Sequence, residues 1–270
     1  MVATDKVFAG SIPEIYDRFM VPLIFEPYAA DLAGRVAALA PRDVLETAAG
    51  TGVLTRALAA RLAPSTRIVA SDLNQPMLDQ AARRQQGSAV EWKQADALAL
   101  PFGDRSFDVV ACQFGAMFFP DKVHGYQEAR RVLRPAGRFL FNVWDRITDN
   151  EFADVVTEAL AGLFPDDPPR FMARTPHGHH DVEQIRKDLT AAGFAEVMVD
   201  AVDARSRAPS ARHVAVAYCQ GTPLRNEIEA RDAARLEEAT GRAADAVAAR
   251  FGEGAVDGRI RAIVVSAAAP

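Results

Sequence analysis

Cysteine is scarce in this sequence, and long apolar runs are lacking. The two cysteines, Cys112 and Cys219, lie far apart without a C-x-x-C pair, so neither a thiol redox pair nor a zinc knuckle is indicated and we expect reduced thiols. No apolar run approaches the length of about 18 residues that a membrane-spanning helix needs. The N-terminus has no apolar core after basic residues, which predicts no secretory leader, no membrane insertion and a cytoplasmic location.

An excess of positive charge is also lacking. Lysine and arginine number 31 against 36 aspartates and glutamates, which gives a formal net charge of -5. Nucleic acids and anionic membranes both attract a basic face, so we expect no nucleic-acid partner and a small-molecule substrate. The hydrophobic content of 49% and the charged content of 25% are ordinary for a soluble globular protein, expected as a monomer or homodimer. The length suits one large α/β domain, or a core domain with an added lobe.

Short apolar runs alternate with helical patterns along most of the chain. The first five runs cover about 43–48, 67–71, 89–93, 107–113 and 138–144. Alternation of this kind predicts a doubly wound α/β fold, with a largely parallel sheet and helices on both faces. Ligands bind such sheets at the carboxyl ends of the strands, so residues that directly follow each run are the candidates for a site.

The segment from Val44 to Thr55 reads as a strand, a tight loop and a helix. Gly50 and Gly52 leave backbone N–H groups unshielded, and the helix that follows adds unpaired donors. A phosphate-binding P-loop is excluded because Val53 and Leu54 follow Gly52 in place of lysine and then serine or threonine. A dinucleotide-binding loop would need a third glycine where Thr55 stands. An ordinary strand-to-helix turn is the alternative to any binding role.

The same segment, Glu46-Thr47-Ala48-Ala49-Gly50-Thr51-Gly52, resembles the nucleotide loop of class I S-adenosylmethionine-dependent methyltransferases. It departs at Ala48, where many members have glycine, but it is similar to the variant found in the ubiquinone/menaquinone-biosynthesis C-methyltransferase type. The resemblance implies a mostly parallel seven-stranded sheet, completed by two late strands at about 197–202 and 260–265. It also implies S-adenosylmethionine as cofactor, contacted by residues of the loop that include Glu46, Ala48, Gly50 and Gly52.

Three further segments follow the strands that come after the loop. Asp72 stands 20 residues beyond Gly52, a distance at which a carboxylate accepts hydrogen bonds from ribose hydroxyls in both nicotinamide and S-adenosylmethionine enzymes; a helix N-cap is its alternative. The Gln94–Leu98 segment resembles the family's adenine-binding segment, which implies that Asp96 and Ala97 contact the adenine, with Leu73 on its face. Asp96 alone would read as a polar turn residue. The segment from Gln113 to Asp121 resembles the family's segment whose first backbone carbonyl accepts from the methionine amino group, which implies that role for Gln113.

The ends of the predicted domain are less specified. Residues 1–40 predict a helical lid of two helices split around Pro22 and Pro27, and Tyr16 and Phe19 resemble the aromatic residues that cover the cofactor in the family. The alternative is that these rings only dock the helix on the core. The remaining residues, 41–270, form the methyltransferase domain. It is predicted to carry a substrate-covering insertion at about 146–182 and a helical insertion at about 210–251, interrupted at Gly241.

Three histidines lie in the first insertion and just before a predicted helix. His177, His179, His180 and Asp181 lack the spacing of a metal site, so no metal is predicted. A histidine here could take a proton from the acceptor, and His179 and His180 are the candidate catalytic residues. The alternative is a polar helix-entry loop with Asp181 as the N-cap.

The resemblance implies an enzyme that transfers a methyl group from S-adenosylmethionine to the oxygen, nitrogen or carbon of a small molecule and releases S-adenosylhomocysteine. No charged catalytic cluster is needed, because the sulfonium already activates the methyl group and the protein chiefly aligns the reactants. An NAD-dependent oxidoreductase is the first alternative, although neither the third glycine nor a catalytic Tyr-Lys or histidine pair is found. A non-catalytic nucleoside-binding protein of the same fold is the second.

Overall fold

The structure is a computed structural model, and it describes residues 3–85, 87 and 89–270. The chain divides into two compact units. The helical unit comprises Met1–Glu26, Trp144–Gly178 and Asp203–Arg261, and the sheet unit comprises Pro27–Val143, His179–Val202 and Ala262–Pro270. None of the described helices is long and apolar enough to span a membrane.

Seven strands form one sheet in the order β3-β2-β1-β4-β5-β7-β6. Their bounds are β1 Asp43–Glu46, β2 Arg67–Asp72, β3 Val90–Gln94, β4 Phe107–Gln113, β5 Leu133–Trp144, β6 Ala195–Ala208 and β7 Val256–Ala268. The pairs β1–β2, β1–β4, β2–β3 and β4–β5 are parallel. The predicted seven-stranded, mostly parallel α/β fold is confirmed.

The seventh strand runs against its neighbour β5. The Ala136 N–H donates to the Ala269 carbonyl at 2.9 Å, and the Asp145 N–H donates to the Arg261 carbonyl at 3.1 Å. As the residue number increases along β5, the residue number of the bonded partner on the β7 side decreases, so the two strands are antiparallel. Both late strands are longer than the apolar runs that predicted them. The residues at their outer ends are largely polar or exposed, so an apolar run could not reveal them.

Eleven α-helices are described. Their bounds are α1 Ile12–Ile15, α2 Glu26–Ala37, α3 Val53–Arg61, α4 Gln75–Arg84, α5 Lys122–Val132, α6 Glu151–Leu163, α7 Phe171–Arg174, α8 Val182–Ala191, α9 Ala211–Gln220, α10 Leu224–Asp232 and α11 Leu236–Phe251. A π-helix, Tyr16–Phe25, joins α1 to α2.

Two predicted helix interruptions are wrong. The helical path does not split at Pro22, which lies inside the π-helix, and Pro27 lies in the first turn of α2, where no backbone N–H is needed. Gly241 lies inside α11, whose inner face buries Ala239, Ala243 and Val247. Burial of that face offsets the roughly 1 kcal/mol by which a helical glycine disfavours a helix.

The core of the sheet unit lies between the sheet and two of its helices. Leu32 and Val36 of α2 and Leu54 and Leu58 of α3 are fully buried against strand residues such as Val44. Helix α3 begins directly after the glycine loop, so this packing fixes the direction in which the loop leaves β1.

Candidate functional site

The glycine loop connects the end of β1 to the start of α3. Ala48, Gly50 and Gly52 have φ angles of 53°, 56° and 78°, in the left-handed region. The Thr47 N–H donates to the Ala111 carbonyl of β4 and the Ala49 N–H donates to the Ser71 carbonyl of β2, both at 2.9 Å. Backbone bonds thus hold the loop at the carboxyl end of the central strands.

Asp72, the last residue of β2, holds the glycine loop by a hydrogen bond. Its Oδ2 accepts from the Gly50 N–H and its Oδ1 accepts from the Asn74 N–H, each at 2.8 Å. Burial raises the pKa of this carboxyl, although the N–H donors act in the opposite direction. Asn74 stands at the N-cap of α4 without a side-chain cap bond, and the Asp72 carboxylate instead bonds the glycine loop. Asp72 therefore lies at the predicted cofactor loop, and its bond to ribose stays a prediction.

Glu46 is 1% exposed at the end of β1. The Thr55 hydroxyl donates to its Oε2 at 2.6 Å. Burial raises the pKa of Glu46 to about 8, against the opposing effects of that hydrogen bond and of the Arg56 charge. The carboxyl is thus largely protonated at neutral pH. Thr55, which stands where a dinucleotide loop would have its third glycine, has a specific role here as the partner of Glu46.

The exit of β3 is joined to the exit of β2. The Ala95 N–H donates to the Asp72 carbonyl at 3.0 Å, and the Gln94 amide donates to the Leu73 carbonyl at 3.0 Å. Asp96 is exposed, and its Oδ1 accepts from the Leu98 N–H at 2.9 Å, which is the local turn bond expected of the alternative reading. Its second oxygen is compatible with a ligand, so the adenine role of Asp96 and Ala97 stays a prediction. Leu73 is exposed.

The exit of β4 packs tightly against the glycine loop. A Cβ built on Gly115 would stand 2.4 Å from the Cβ of Ala48 and 2.8 Å from the Cys112 sulfur. Gln113, the last residue of β4, is 8% exposed, and the Phe114 that follows has a φ of 51°. The predicted cofactor residues of the sheet unit therefore share one sheet edge, at the carboxyl ends of β3, β2, β1 and β4: Glu46, Ala48, Gly50, Gly52, Asp72, Leu73, Asp96, Ala97 and Gln113.

The predicted covering rings belong to the helical unit. The Tyr16 ring packs against Phe25 at 5.2 Å and edge-on against Phe8 at 5.9 Å, measured between ring centroids. Phe19 packs on the His213 ring at 4.7 Å. These contacts within the unit are those that a docking role requires. The covering role of Tyr16 stays a prediction.

His179 lies in a polar cluster of the sheet unit. Its Nε2 is 3.0 Å from the hydroxyl of the buried Tyr126, and burial, together with the Lys122 charge, lowers the pKa of His179 to about 4. The Lys122 ammonium donates to the Met117 and Phe119 carbonyls, which belong to the turn after β4, and burial lowers its pKa to about 8. His179 is therefore neutral at physiological pH, the form able to accept a proton.

The other residues of the histidine segment have separate surroundings. His177 belongs to the helical unit, where its Nδ1 lies 2.8 Å from the Asp145 carbonyl and its ring is 6.1 Å from Trp144. His180 is half-buried. Asp181 accepts from the Glu183 and Gln184 N–H groups, which confirms it as the N-cap of α8. Within the described ranges, no group of three His, Cys, Asp or Glu side chains could hold a metal ion.

Sequence reasoning missed Tyr126, Lys122 and Asn142. The first two are brought to His179 by the packing of α5, which no local pattern reveals. Asn142 had a visible signal, because it is the one polar residue in the apolar run from Phe139 to Trp144. A polar side chain in a buried strand needs a hydrogen-bond partner, so the sequence indicates that Asn142 has a specific polar contact.

Comparisons with known proteins identify methyltransferases among the relatives of this chain. A family described as "Methyltransferase domain" matches residues 44–137. The Ubiquinone/menaquinone biosynthesis C-methyltransferase UbiE of Hahella chejuensis is 34% identical over 166 residues, which are 56% of this chain and 66% of that protein. The protein of the same name from Pseudomonas aeruginosa is 30% identical over 206 residues, 72% of this chain and 76% of that protein. A solved putative methyltransferase of Bacillus halodurans, 21% identical, has the same fold with a TM-score of 0.56, covering 90% of this chain and 98% of its own.

Proposed function

We infer the reaction from the premise that this chain belongs to the class I S-adenosylmethionine-dependent methyltransferases, of the ubiquinone/menaquinone-biosynthesis type. It transfers a methyl group from S-adenosylmethionine to a small-molecule acceptor. The comparisons support neither the nicotinamide oxidoreductase nor the non-catalytic nucleoside-binding protein. The acceptor, the residue roles, the oligomeric state, the cytoplasmic location and the lack of a nucleic-acid partner are proposals.

The glycine loop suits S-adenosylmethionine on two observations. Gly50 and Gly52 permit the left-handed backbone of the loop, and their N–H groups donate to the Asp72 carboxylate and the Ala49 carbonyl, so the loop is held in one conformation beside the strand ends. The hydroxyl of Thr51, which is 1% exposed, has no hydrogen-bond partner among the described residues, which suits a site completed by a polar ligand. The cofactor supplies a methyl group that its sulfonium charge has already activated.

Each protein residue then has an assigned part. We propose that Asp72 accepts from the ribose hydroxyls, that Leu73, Asp96 and Ala97 contact the adenine, and that the Gln113 carbonyl accepts from the methionine amino group. Glu46, Ala48, Gly50 and Gly52 line the loop, and Tyr16 covers the cofactor. Support comes from the hydrogen bonds that join the exits of β1, β2 and β3 and from the close packing of the β4 exit on the loop.

The acceptor is, we propose, a hydroxylated aromatic ring of the quinol class, methylated at carbon. The observation that carries this proposal is the extent of the similarity to the Pseudomonas aeruginosa C-methyltransferase, which covers 72% of this chain. The family match at 44–137 contains only the predicted cofactor half. The similarity to that relative, over 206 residues, therefore extends beyond the predicted cofactor half of the chain.

Carbon methylation of a quinol needs an electron-rich ring, which forms when a ring hydroxyl loses its proton. His179 and His180 are our candidates for receiving it, with the neutral His179 held by Tyr126. The remaining task of the protein is alignment of the ring carbon with the methyl group and exclusion of water.

The experiment is an acceptor panel with S-adenosylmethionine, made up of 1,4-naphthoquinol, catechol and a primary amine. Mass spectrometry detects the added methyl group, and NMR of the product separates carbon from oxygen methylation. We expect the quinol to gain a methyl group on a ring carbon. Methylation of catechol oxygen or of the amine, with the quinol unchanged, would overturn the assignment of the acceptor.

A further inference from the structure

Asn142 has a buried donor without a partner, at the end of the sheet where the predicted ligands meet. It is fully buried near the end of β5 and is paired in register with Gln113, the last residue of β4. Its backbone carbonyl and its side-chain Oδ1 both accept from the Phe114 N–H, at 3.1 and 2.9 Å. Because that N–H is a donor, the oxygen end of the carboxamide must face it, which fixes the amide orientation.

The nitrogen end of the Asn142 carboxamide is not used by the turn. Within the described part of the chain, Asn142 Nδ2 has no hydrogen-bond partner. A buried donor without an acceptor destabilises the fold, and nearly all such groups in folded proteins are paired. The turn at Phe114 does not require this amide donor, since the carbonyl and Oδ1 already receive its N–H. The surplus donor is therefore open to an acceptor atom supplied from outside the chain.

The order of the strands indicates which ligand lies nearest to Asn142. The proposed adenine contacts follow β3, the ribose carboxylate ends β2, the glycine loop follows β1, and the methionine contact ends β4. These strands are neighbours in the order β3-β2-β1-β4, each about 4.8 Å from the next. The cofactor thus extends along the sheet edge with its methionine end at β4, and β5 is the next strand beyond it.

We propose that Asn142 Nδ2 donates a hydrogen bond to an oxygen of the methyl acceptor and so selects an oxygenated ring over a plain hydrocarbon. This assignment rests on the proposed function, because it takes the acceptor to carry a hydroxyl, carbonyl or oxyanion. Asn142 is then a binding residue, and its Oδ1 has a second task in holding the left-handed turn at Phe114.

The test compares two ligands that differ by one oxygen, 1-tetralone and tetralin. Their affinities are measured by calorimetry on protein loaded with S-adenosylhomocysteine, for the wild type, Asn142→Asp and Asn142→Ala. Asn142→Asp keeps an oxygen for the Phe114 N–H and replaces the amide donor, so it separates the two tasks of the side chain. A purely structural role would change the affinity for both ligands equally.

We expect the wild type to bind 1-tetralone about tenfold or more tightly than tetralin, as a buried hydrogen bond allows. Asn142→Ala should abolish this preference. Asn142→Asp should lose it at pH 8 and regain part of it at low pH, where a protonated carboxyl can donate. In Asn142→Asp, which keeps an oxygen for the Phe114 N–H beside Gln113, the affinity for S-adenosylmethionine should stay within about twofold of the wild-type value.

The inference is wrong if the wild type shows no preference for 1-tetralone, if Asn142→Ala keeps the preference, or if the cofactor affinity of Asn142→Asp falls along with its preference. The acceptor panel decides the proposed function separately. A wild type that prefers 1-tetralone but methylates only a non-quinol acceptor would contradict the quinol proposal and leave the role of Asn142 standing. A methylated quinol without any preference for 1-tetralone would support the quinol proposal and contradict the role of Asn142.

Discussion

Gly115→Ala is expected to damage the cofactor site without altering any residue assigned to it. Gly115 has a φ of -104°, which any residue adopts, so the substitution introduces no backbone strain. The whole effect is steric. The new methyl group would stand 2.4 Å from the Ala48 Cβ and 2.8 Å from the Cys112 sulfur.

The size of the effect follows from these distances. Carbon atoms pack at about 3.5–4.0 Å, so the new Cβ must move from Ala48 by more than about 1 Å. Neither neighbour is the end of a flexible side chain, because Ala48 belongs to the loop backbone and Cys112 is fully buried in β4. Overpacking of this kind destabilises a fold by about 1–3 kcal/mol. Displacement of the loop should also weaken S-adenosylmethionine binding about tenfold or more, because the donors of the loop are set by its position.

The measurements are urea denaturation for stability and calorimetry on the folded variant for S-adenosylmethionine. The control is Gly34→Ala, on the exposed side of α2, where an added Cβ meets no atom within 4 Å. That change should stabilise the protein by about 0.5–1 kcal/mol, as alanine is the better helix former, and leave cofactor affinity unchanged.

A second substitution tests the cause. Ala48→Gly removes the nearer clashing atom, so Gly115→Ala combined with Ala48→Gly should recover part of the lost stability and affinity, while the contact with Cys112 remains. The two changes should therefore be coupled by about 0.5–3 kcal/mol. Wild-type stability and cofactor affinity in Gly115→Ala alone, or strictly additive effects in the double variant, would refute the reasoning.

Three further predictions concern single ionisable groups. Asp72→Ala should weaken S-adenosylmethionine binding by about 1–3 kcal/mol in calorimetry, since both its ribose and its loop partners lose an acceptor, and an unchanged affinity would contradict the assignment. The Glu46 pKa of about 8 lies above its ordinary value of 4.5, so the folded protein retains a proton that the unfolded chain has lost. Glu46 should therefore lower the free energy of unfolding as pH rises between those values, and Glu46→Gln should remove that contribution, whereas His179, whose pKa is lowered to about 4, acts in the opposite direction below about pH 6.5. Alanine at His177, His179 or His180 should lower turnover about 10²- to 10⁴-fold if that residue is the base, with cofactor affinity retained; wild-type turnover in all three would exclude a base in this segment.

The cofactor edge could be predicted from sequence because its signals are local. A glycine loop directly follows β1, and Asp72 directly follows the apolar residues of β2. A parallel sheet then brings such strand ends together without further information. The structure adds what spacing cannot contain, namely that the Asp72 carboxylate bonds the Gly50 N–H and that Thr55 bonds Glu46.

The helical segments were predicted less well because proline and glycine were taken as breaks. Pro22 and Gly241 disfavour a helix locally, but tertiary packing decides whether the helix continues. The buried face of α11 carries it through Gly241, and the π-helix carries the chain through Pro22. A proline or glycine is therefore a poor predictor of a helix end where the helix on either side of it has a buried face.

The contacts of His179 explain why the base could not be chosen from sequence. Its partner Tyr126 is 53 positions away, and its neighbour Lys122 lies on the same helix, α5. Their packing lowers the pKa of His179 to about 4, whereas general bases work best with a pKa near the operating pH. If His179 accepts the proton, its own titration should reduce turnover only below about pH 4. A rise in turnover centred well above pH 8 would then report ionisation of the acceptor hydroxyl, whose ordinary pKa is about 10 for a phenol, and not that of the neighbouring Lys122, whose pKa is about 8. The slope of the pH profile above pH 7 therefore separates a reaction limited by the acceptor from one limited by this histidine.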